Sequence, residues 1–503
     1  MSITGPGSVT AANVLAQTNM MNELDKLGQE LGTGQAATTY SGLGSQAGLA
    51  LSLNAQLSAS NGYDATATNV GTTLSIAQSV LTQIGSAGTS VQQAVSGQGA
   101  FSLDNNGQTT AQRSAASYLD QILSLLNTQV GNNYIFSGSA TDQPSVVATD
   151  DILNGNGAQA GLTQVIAERQ QADLGADGLG RLVIPAPSGS TVSVSEDVAG
   201  SPFGFKLGGV DSNLTGATVT GPSGSPSSIS VDLGANPNSG DAIQFDLTLP
   251  DGSSQTIALT ATTASPPGAN QFTIGATPAD TANNLQAALT TAVGDLAQTA
   301  LRPASAMAAA DNFFSSDPPQ RVAGPPFDTA TSLIDGTSTN TVFWYTGEDG
   351  STPARDTATA QVGPSMTVAY GMRASEAALS SLVANVAVLA ATTYSPSDPN
   401  AEASYHALSQ KVAANLDGQP GTQTVSDIEA DLANAQIAVS NASKLNTQTQ
   451  NTLQDMLQGI DGINQNQIGE QILTLQNSLS ASMSVTARLA QLSLVNYLSP
   501  VTG

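Results

Sequence analysis

The chain has 503 residues, with 38 acids against 12 bases and a net charge of −26. So few Lys and Arg argue against nucleic acid, whose counterions need clustered bases to displace them, and the negative sign argues against an anionic membrane surface. There is no Cys and only one His, so a disulfide-stapled fold and ordinary zinc or haem sites are excluded.

The apolar runs fall short of the roughly 18–20 residues that span a bilayer, and no membrane insertion is expected. The start, Met1-Ser2-Ile3-Thr4-Gly5-Pro6-Gly7, has neither a basic region nor an apolar block. A cleavable signal peptide is not expected there.

In chain order, residues 8–34 read as a helix, with Met20, Leu24, Leu27 and Leu31 on one stripe and Leu31-Gly32-Thr33-Gly34 ending it, a Gly supplying the left-handed C-cap. After a Gly- and Ser-containing loop comes a long helix over 49–95. Leu49, Leu53, Gln56, Ser60, Tyr63, Ala67, Val70, Leu74, Ala77, Leu81, Ile84, Gly88, Val91 and Val95 hold one three-four register. At the helical rise this is a rod of roughly 70 Å. A third helix is expected at about 109–130, ending at Gly131, with a short strand at Tyr134-Ile135-Phe136.

From Gly138 to about 370 the composition shifts to Gly, Pro, Ser, Thr and Asp. Short alternating runs at 181–184, 191–194, 217–219, 229–233, 243–249, 256–259 and 272–274 read as strands, and Asp251-Gly252 as a hairpin turn. A helix at 280–298 interrupts them, with Leu285, Leu289, Val293 and Leu296 on one face. Pro303 reads as a stop, 313–327 as an extended connection, and 341–345, 358–362 and 366–370 as the last strands.

Helices resume at Ser375 and again over 400–416. A heptad seam then runs Val425, Ile428, Leu432, Ala435, Val439, Ala442, Leu453, Met456, Ile460 and Ile463, with Asn446 and Thr449 in the two polar slots. The register slips around 462–467, as at a stutter. A second seam follows through Ile468, Ile472, Leu475, Leu479 and Met483. The expected fold is α+β: a long antiparallel, coiled-coil-like bundle from the two ends with a β-rich central insertion. In it 425–463 pairs with 49–95, and 468–498 pairs with 8–34 and with neighbouring subunits.

Chemistry is sparse. His406 sits in a helix; a Ser-His-Asp triad would have to use it, and no nucleophile-elbow sequence supports one. The Gly-rich pieces Gly42 to Gly48 and Gly175 to Gly180 lack a P-loop Lys and read as turns. No cofactor, metal site or catalytic residue is expected.

Three segments carry a family likeness. Leu24, Leu27 and Leu31-Gly32-Thr33-Gly34, the helix around Leu74-Ser75-Ile76-Ala77-Gln78, and Leu489 to Leu498 resemble the terminal segments of the bacterial flagellin family. Asn133-Tyr134-Ile135-Phe136-Ser137-Gly138, Thr367 to Ala374 and the ending Leu492-Ser493-Leu494-Val495-Asn496-Tyr497-Leu498 are similar to its hook-filament junction branch, the hook-associated protein 3 group. The likeness covers about 1–140 and 365–503; the loop from Gln35 to Gly48 departs from it by carrying no charge.

The resemblance implies an N-terminal arm over 1–140 (1–35 its terminal core helix), a variable β-rich insertion over 141–365, and a C-terminal arm over 366–503 (468–503 its terminal core helix). It implies a structural subunit rather than an enzyme, exported through the flagellar type III apparatus and polymerised outside the cell. The partners would be copies of itself, other hook-associated proteins, flagellin and an export chaperone. The residues expected to pack in assembly are Met20, Leu24, Leu27, Leu31, Leu74, Leu81, Ile84, Val439, Leu453, Ile460, Ile472, Leu475, Leu479, Leu492, Leu494 and Leu498. A filament flagellin would share the same core. A secreted adhesin displaying the β-rich middle is a further alternative, of a different class.

Overall fold

A computed structural model describes residues 6–97 and 101–497, with side chains over 11–97 and 101–491. The chain is a mixed α+β protein. The first helix, α1 (Pro6–Thr33), stops where expected: Gly34 takes φ +74°, and its N–H donates to Glu30 O at 2.8 Å. A 3₁₀ stretch, Tyr40–Gln46, leads into α2 (Ala47–Ser96). Next, α3 (Thr110–Leu126) opens with a capping box: Gln112 N–H donates to Thr109 Oγ1, and Thr109 N–H to Gln112 Oε1. A small hairpin, β1 (Gln129–Val130) and β2 (Asn133–Tyr134), turns at Gly131, and α4 (Thr149–Asn154) and α5 (Leu162–Leu174) follow.

The middle holds β3 (Leu182–Val183), β4 (Thr191–Glu196), β5 (Lys206–Ser212), β6 (Ala217–Ser223), β7 (Ser228–Leu233), β8 (Ala242–Thr248), β9 (Ser254–Thr262) and β10 (Gln271–Thr273). They form two four-stranded sheets, ordered β3-β4-β7-β6 and β10-β9-β8-β5; only the β9–β10 pair is parallel. The β8–β9 turn falls at Asp251-Gly252, with Gly252 at φ +79°.

Beyond the sheets, α6 (Pro278–Leu296) runs through one π turn into α7 (Arg302–Ser315). Pro303 therefore opens a helix rather than closing one, in the first turn where a missing N–H costs nothing. The short strands β11 (Gln320–Val322) and β12 (Leu333–Asp335) pair, as do β13 (Thr359–Gly363) and β14 (Met366–Ala369). The run 341–345 makes only isolated bridges, at Thr341 and Tyr345. The helices α8 (Ala377–Ala391), α9 (Ala401–Leu416), α10 (Val425–Asp461) and α11 (Gln465–Tyr497) complete the chain. Between the last two the helix breaks outright instead of slipping in register, and Asn464 starts the next one, its Oδ1 accepting from Gln467 N–H at 3.3 Å.

The chain divides into two compact units. One gathers the residues up to Gly71, Ala360–Val368 and those from Ile437 onward; the other holds Thr72–Thr359 and Ala369–Gln436. The second has an extensive apolar core. Val192, Val194, Ile229 and Val231 of one sheet and Ile243, Phe245, Leu247 and Leu259 of the other are buried with Leu285, Leu289 and Val293 of α6. Nearby, α7 packs on α5 and α8, and α8 is buried almost throughout because it is apolar on every side.

Candidate assembly surface

The first unit is built from helix pairs and little else. At one level α2 and α10 run antiparallel: Ser60 Oγ donates to Asn446 O (3.3 Å), and Ser443 Oγ to Asp64 Oδ1 (2.7 Å). Their shared seam buries Ala50, Leu53, Ala67, Val70, Val439, Ala442 and Leu453. The stripe on α2 begins one position later than its large side chains suggest. Leu49 is 55% exposed and Gln56 is exposed, while Ala50 is buried and Leu57 half-buried. On α10, Met456 and Thr449 likewise face out and Leu457 turns in.

At the next level α1 packs against α11. Gln17 Nε2 donates to Ser482 Oγ (3.3 Å) and to Thr486 Oγ1 (3.0 Å). The seam of α11 therefore passes through Ser482 and Thr486, and Met483 lies outside it, 44% exposed. The two levels join where α1 and α10 both end. Gln35 and Gly462 form an antiparallel bridge, and Ala36 N–H donates to Asp461 O at 2.7 Å. Gly462 is required there, since a Cβ would lie 2.3 Å from Gln458 O. Neither helix has a basic residue in its last turn to balance its carbonyl end.

The sixteen residues expected to pack in assembly fall into distinct settings. Leu74, Leu81 and Ile84 are fully buried inside the second unit, and Val439 and Leu453 are buried inside the first. On α1, Leu27 is buried, Met20 and Leu24 are half-buried, and Leu31 is 39% exposed. Ile460, Ile472, Leu475 and Leu479 are half-buried. Leu492, Leu494 and Leu498 lie outside the described side chains.

Two helices in contact cover one stripe each, and here that stripe is all that is covered. Leu27 is the one buried residue among the described side chains of α1, and no described residue of α11 is buried. Apolar side chains also occupy the other faces: Val14, Leu15 and Met21 on α1, and Leu473, Val485 and Leu489 on α11. Among the described residues, every exposed large apolar side chain except Val183 and Ile334 belongs to the first unit. That unit is also poor in charge, its bases being Lys26, Lys444 and Arg488 and its acids Glu23, Asp25, Glu30, Asp64, Asp455, Asp461 and Glu470. These exposed apolar side chains are spread over several faces of the helices. Sequence reasoning found the seams but not these outer faces; the signal was the presence of Leu, Val and Met between seam positions.

No family model and no curated protein matches this chain.

His406 is half-exposed on α9 with Glu402 Oε1 at 3.7 Å. Gly175, Gly178 and Gly180 have positive φ and form a turn. Among the described residues no cluster of three or more His, Asp or Glu could hold a metal ion, and no helix is long and apolar enough to cross a membrane.

Proposed function

We propose that this chain is a structural subunit of the flagellin family, polymerising through its first and last helices, and that its place is the junction of hook and filament. One observation carries the polymerising part of this reading. The two helices lie against each other yet keep apolar side chains on their remaining faces, in a unit with little charge to repel a neighbour. Isolated helices are marginal in water and gain stability chiefly from packing of their apolar faces. Further copies of the same helices would supply that packing. In this reading the paired helices of the two chain ends extend into one antiparallel, coiled-coil-like bundle, with the β-rich middle as an insertion. Export precedes assembly outside the cell, with a chaperone covering the apolar faces until then. Flagellin and other hook-associated proteins would be its axial neighbours, and its role would be structural and not catalytic.

The junction assignment rests on the sequence likeness of 133–138 and of the C-terminal ending. Labelling native flagella with an antibody to the middle region tests it. A single band at the hook tip is the expected result; label along the whole filament would reassign the chain as filament flagellin. Deleting the gene should leave flagellin secreted but unanchored.

A further inference from the structure

The α10 seam buries one residue that a helix pair alone would not select. Asn446 is 4% exposed, between Ala442 and Leu453. A buried amide with no partner is costly, because its lost hydrogen bonds to water are not replaced. Its partner is not on α2. Asn446 Nδ2 donates to Val362 O at 2.9 Å, and Val362 lies on β13. Asn446 O accepts from Ser60 Oγ at 3.3 Å, and Ser60 is itself 5% exposed.

The hairpin that receives this bond is two-stranded. Strands β13 and β14 pair only with each other, around a turn at Pro364-Ser365. A lone two-stranded hairpin is marginally stable in water. Its apolar anchors are Val362 and Val368, fully buried and 4% exposed; Gln361 and Met366 face outward. The contacts of Ala360–Val368 group this tip with the terminal helices, although the chain on either side of it belongs to the second unit.

We infer that Asn446 is a positioning residue whose amide seats the β13–β14 hairpin on the α2–α10 pair, so that the hairpin is ordered only while those helices are paired. This goes beyond the proposed function and does not depend on it. Two valines can slide over an apolar seam at little cost, because dispersion is not directional. A single donor fixed on α10 and aimed at one carbonyl picks one position. Ser60, bonded to the Asn446 carbonyl, places α2 against the same turn of α10.

The test uses the full chain with Asn446→Leu, Asn446→Asp and Ser60→Ala. The leucine fits the seam, so helix content and the thermal midpoint should be kept. Amide exchange across 359–369 should speed up about tenfold, as for one lost buried hydrogen bond, while the α2 and α10 amides keep their protection. Asp has the size of Asn but lacks the donor, so it should release the hairpin as well. Ser60→Ala should leave hairpin exchange within about twofold, since the donor remains. Unchanged protection of 359–369 in both Asn446 variants would overturn the inference, because the valines would then suffice. Equal loss of protection in helices and hairpin would also overturn it, making Asn446 a general core residue.

Discussion

In the second unit every Lys and Arg is paired with an acid of the same unit, several of them buried or nearly so: Arg169 with Asp173 (2.8 Å), Arg321 with Glu168 and Arg355 with Glu376 (2.6 Å). In the first unit Lys26 pairs with Glu30 one turn along, while no ion pair of Lys444 or Arg488 occurs among the described residues. Apolar surface shows the same contrast, buried in two sheets and around α8 in one unit and left on several helix faces in the other. The second unit pairs its cations with its own acids and buries most of its apolar side chains. The first buries little beyond its seams and keeps large apolar side chains exposed on several helix faces.

The contrast can be broken most severely by removing residues 468–503. Polymerisation, followed by sedimentation and electron microscopy, should be abolished, while the β-sheet signal and cooperative unfolding of the middle persist. Normal assembly of that truncation would refute the role given to the terminal helices. The next largest effect belongs to Arg169→Ala. Arg169 also donates to Pro202 O (3.0 Å) and lies 5.0 Å from the centre of the Phe203 ring, while Asp173 accepts from Gly204 N–H at 2.8 Å. Removing the cation strands a buried carboxylate whose pKa burial already raises. The cost should be about 3–5 kcal/mol, read from denaturant unfolding; a loss below about 1 kcal/mol would mean that the pair contributes no more than an exposed one.

A smaller, pH-dependent effect is expected at Glu376. Burial raises its carboxyl above the ordinary 4.5, with Arg355 beside it pulling the other way. An acid raised in the folded state binds its proton more tightly there. Its contribution to stability is full below the ordinary value and is lost as pH rises through the raised one. Relative to wild type, Glu376→Gln should therefore be more stable at about pH 7 than at about pH 4; a difference that does not change with pH would contradict the assignment. The smallest effect on the folded chain is expected from a matched pair, Leu473→Ser on α11 and Val183→Ser on β3, which are 62% and 43% exposed. Each should change unfolding free energy by no more than about 0.5 kcal/mol. Only the first should weaken association, so equal association of the two would erase the distinction between the units.

Much of the fold was legible where one signal dominated. The first helix ends at its Gly turn as read, and Asp251-Gly252 turns its hairpin, whereas the third helix stops at Leu126 and Gly131 turns the β1–β2 hairpin instead of ending that helix. Helix α5 was not legible, because its buried face carries Glu168, Arg169 and Asp173, and an apolar period cannot show charges that are buried in pairs. Helix α7 was hidden by Pro303, which marks both stops and starts, and by an alanine run buried on all sides. Strand β5 was missed because Gly208 and Gly209 interrupt its alternation. The phase of α2 went astray at Leu49 because size was weighed above position, where the small Ala50 fills the seam. The outer faces of α1 and α11 were present in the sequence, but a reading built to find one stripe per helix passes over a second.

The backbones on either side of Gln35 and Gly462 cross the break in the helices together, tied by a β-bridge and by Ala36 N–H on Asp461 O. One connecting chain would swivel about its own bonds. Two chains bonded edge to edge make a ribbon, which flexes across its flat face and resists turning about its length. Turning the α1–α11 pair about its length would have to break that bridge and that hydrogen bond, although no helix is continuous across the break.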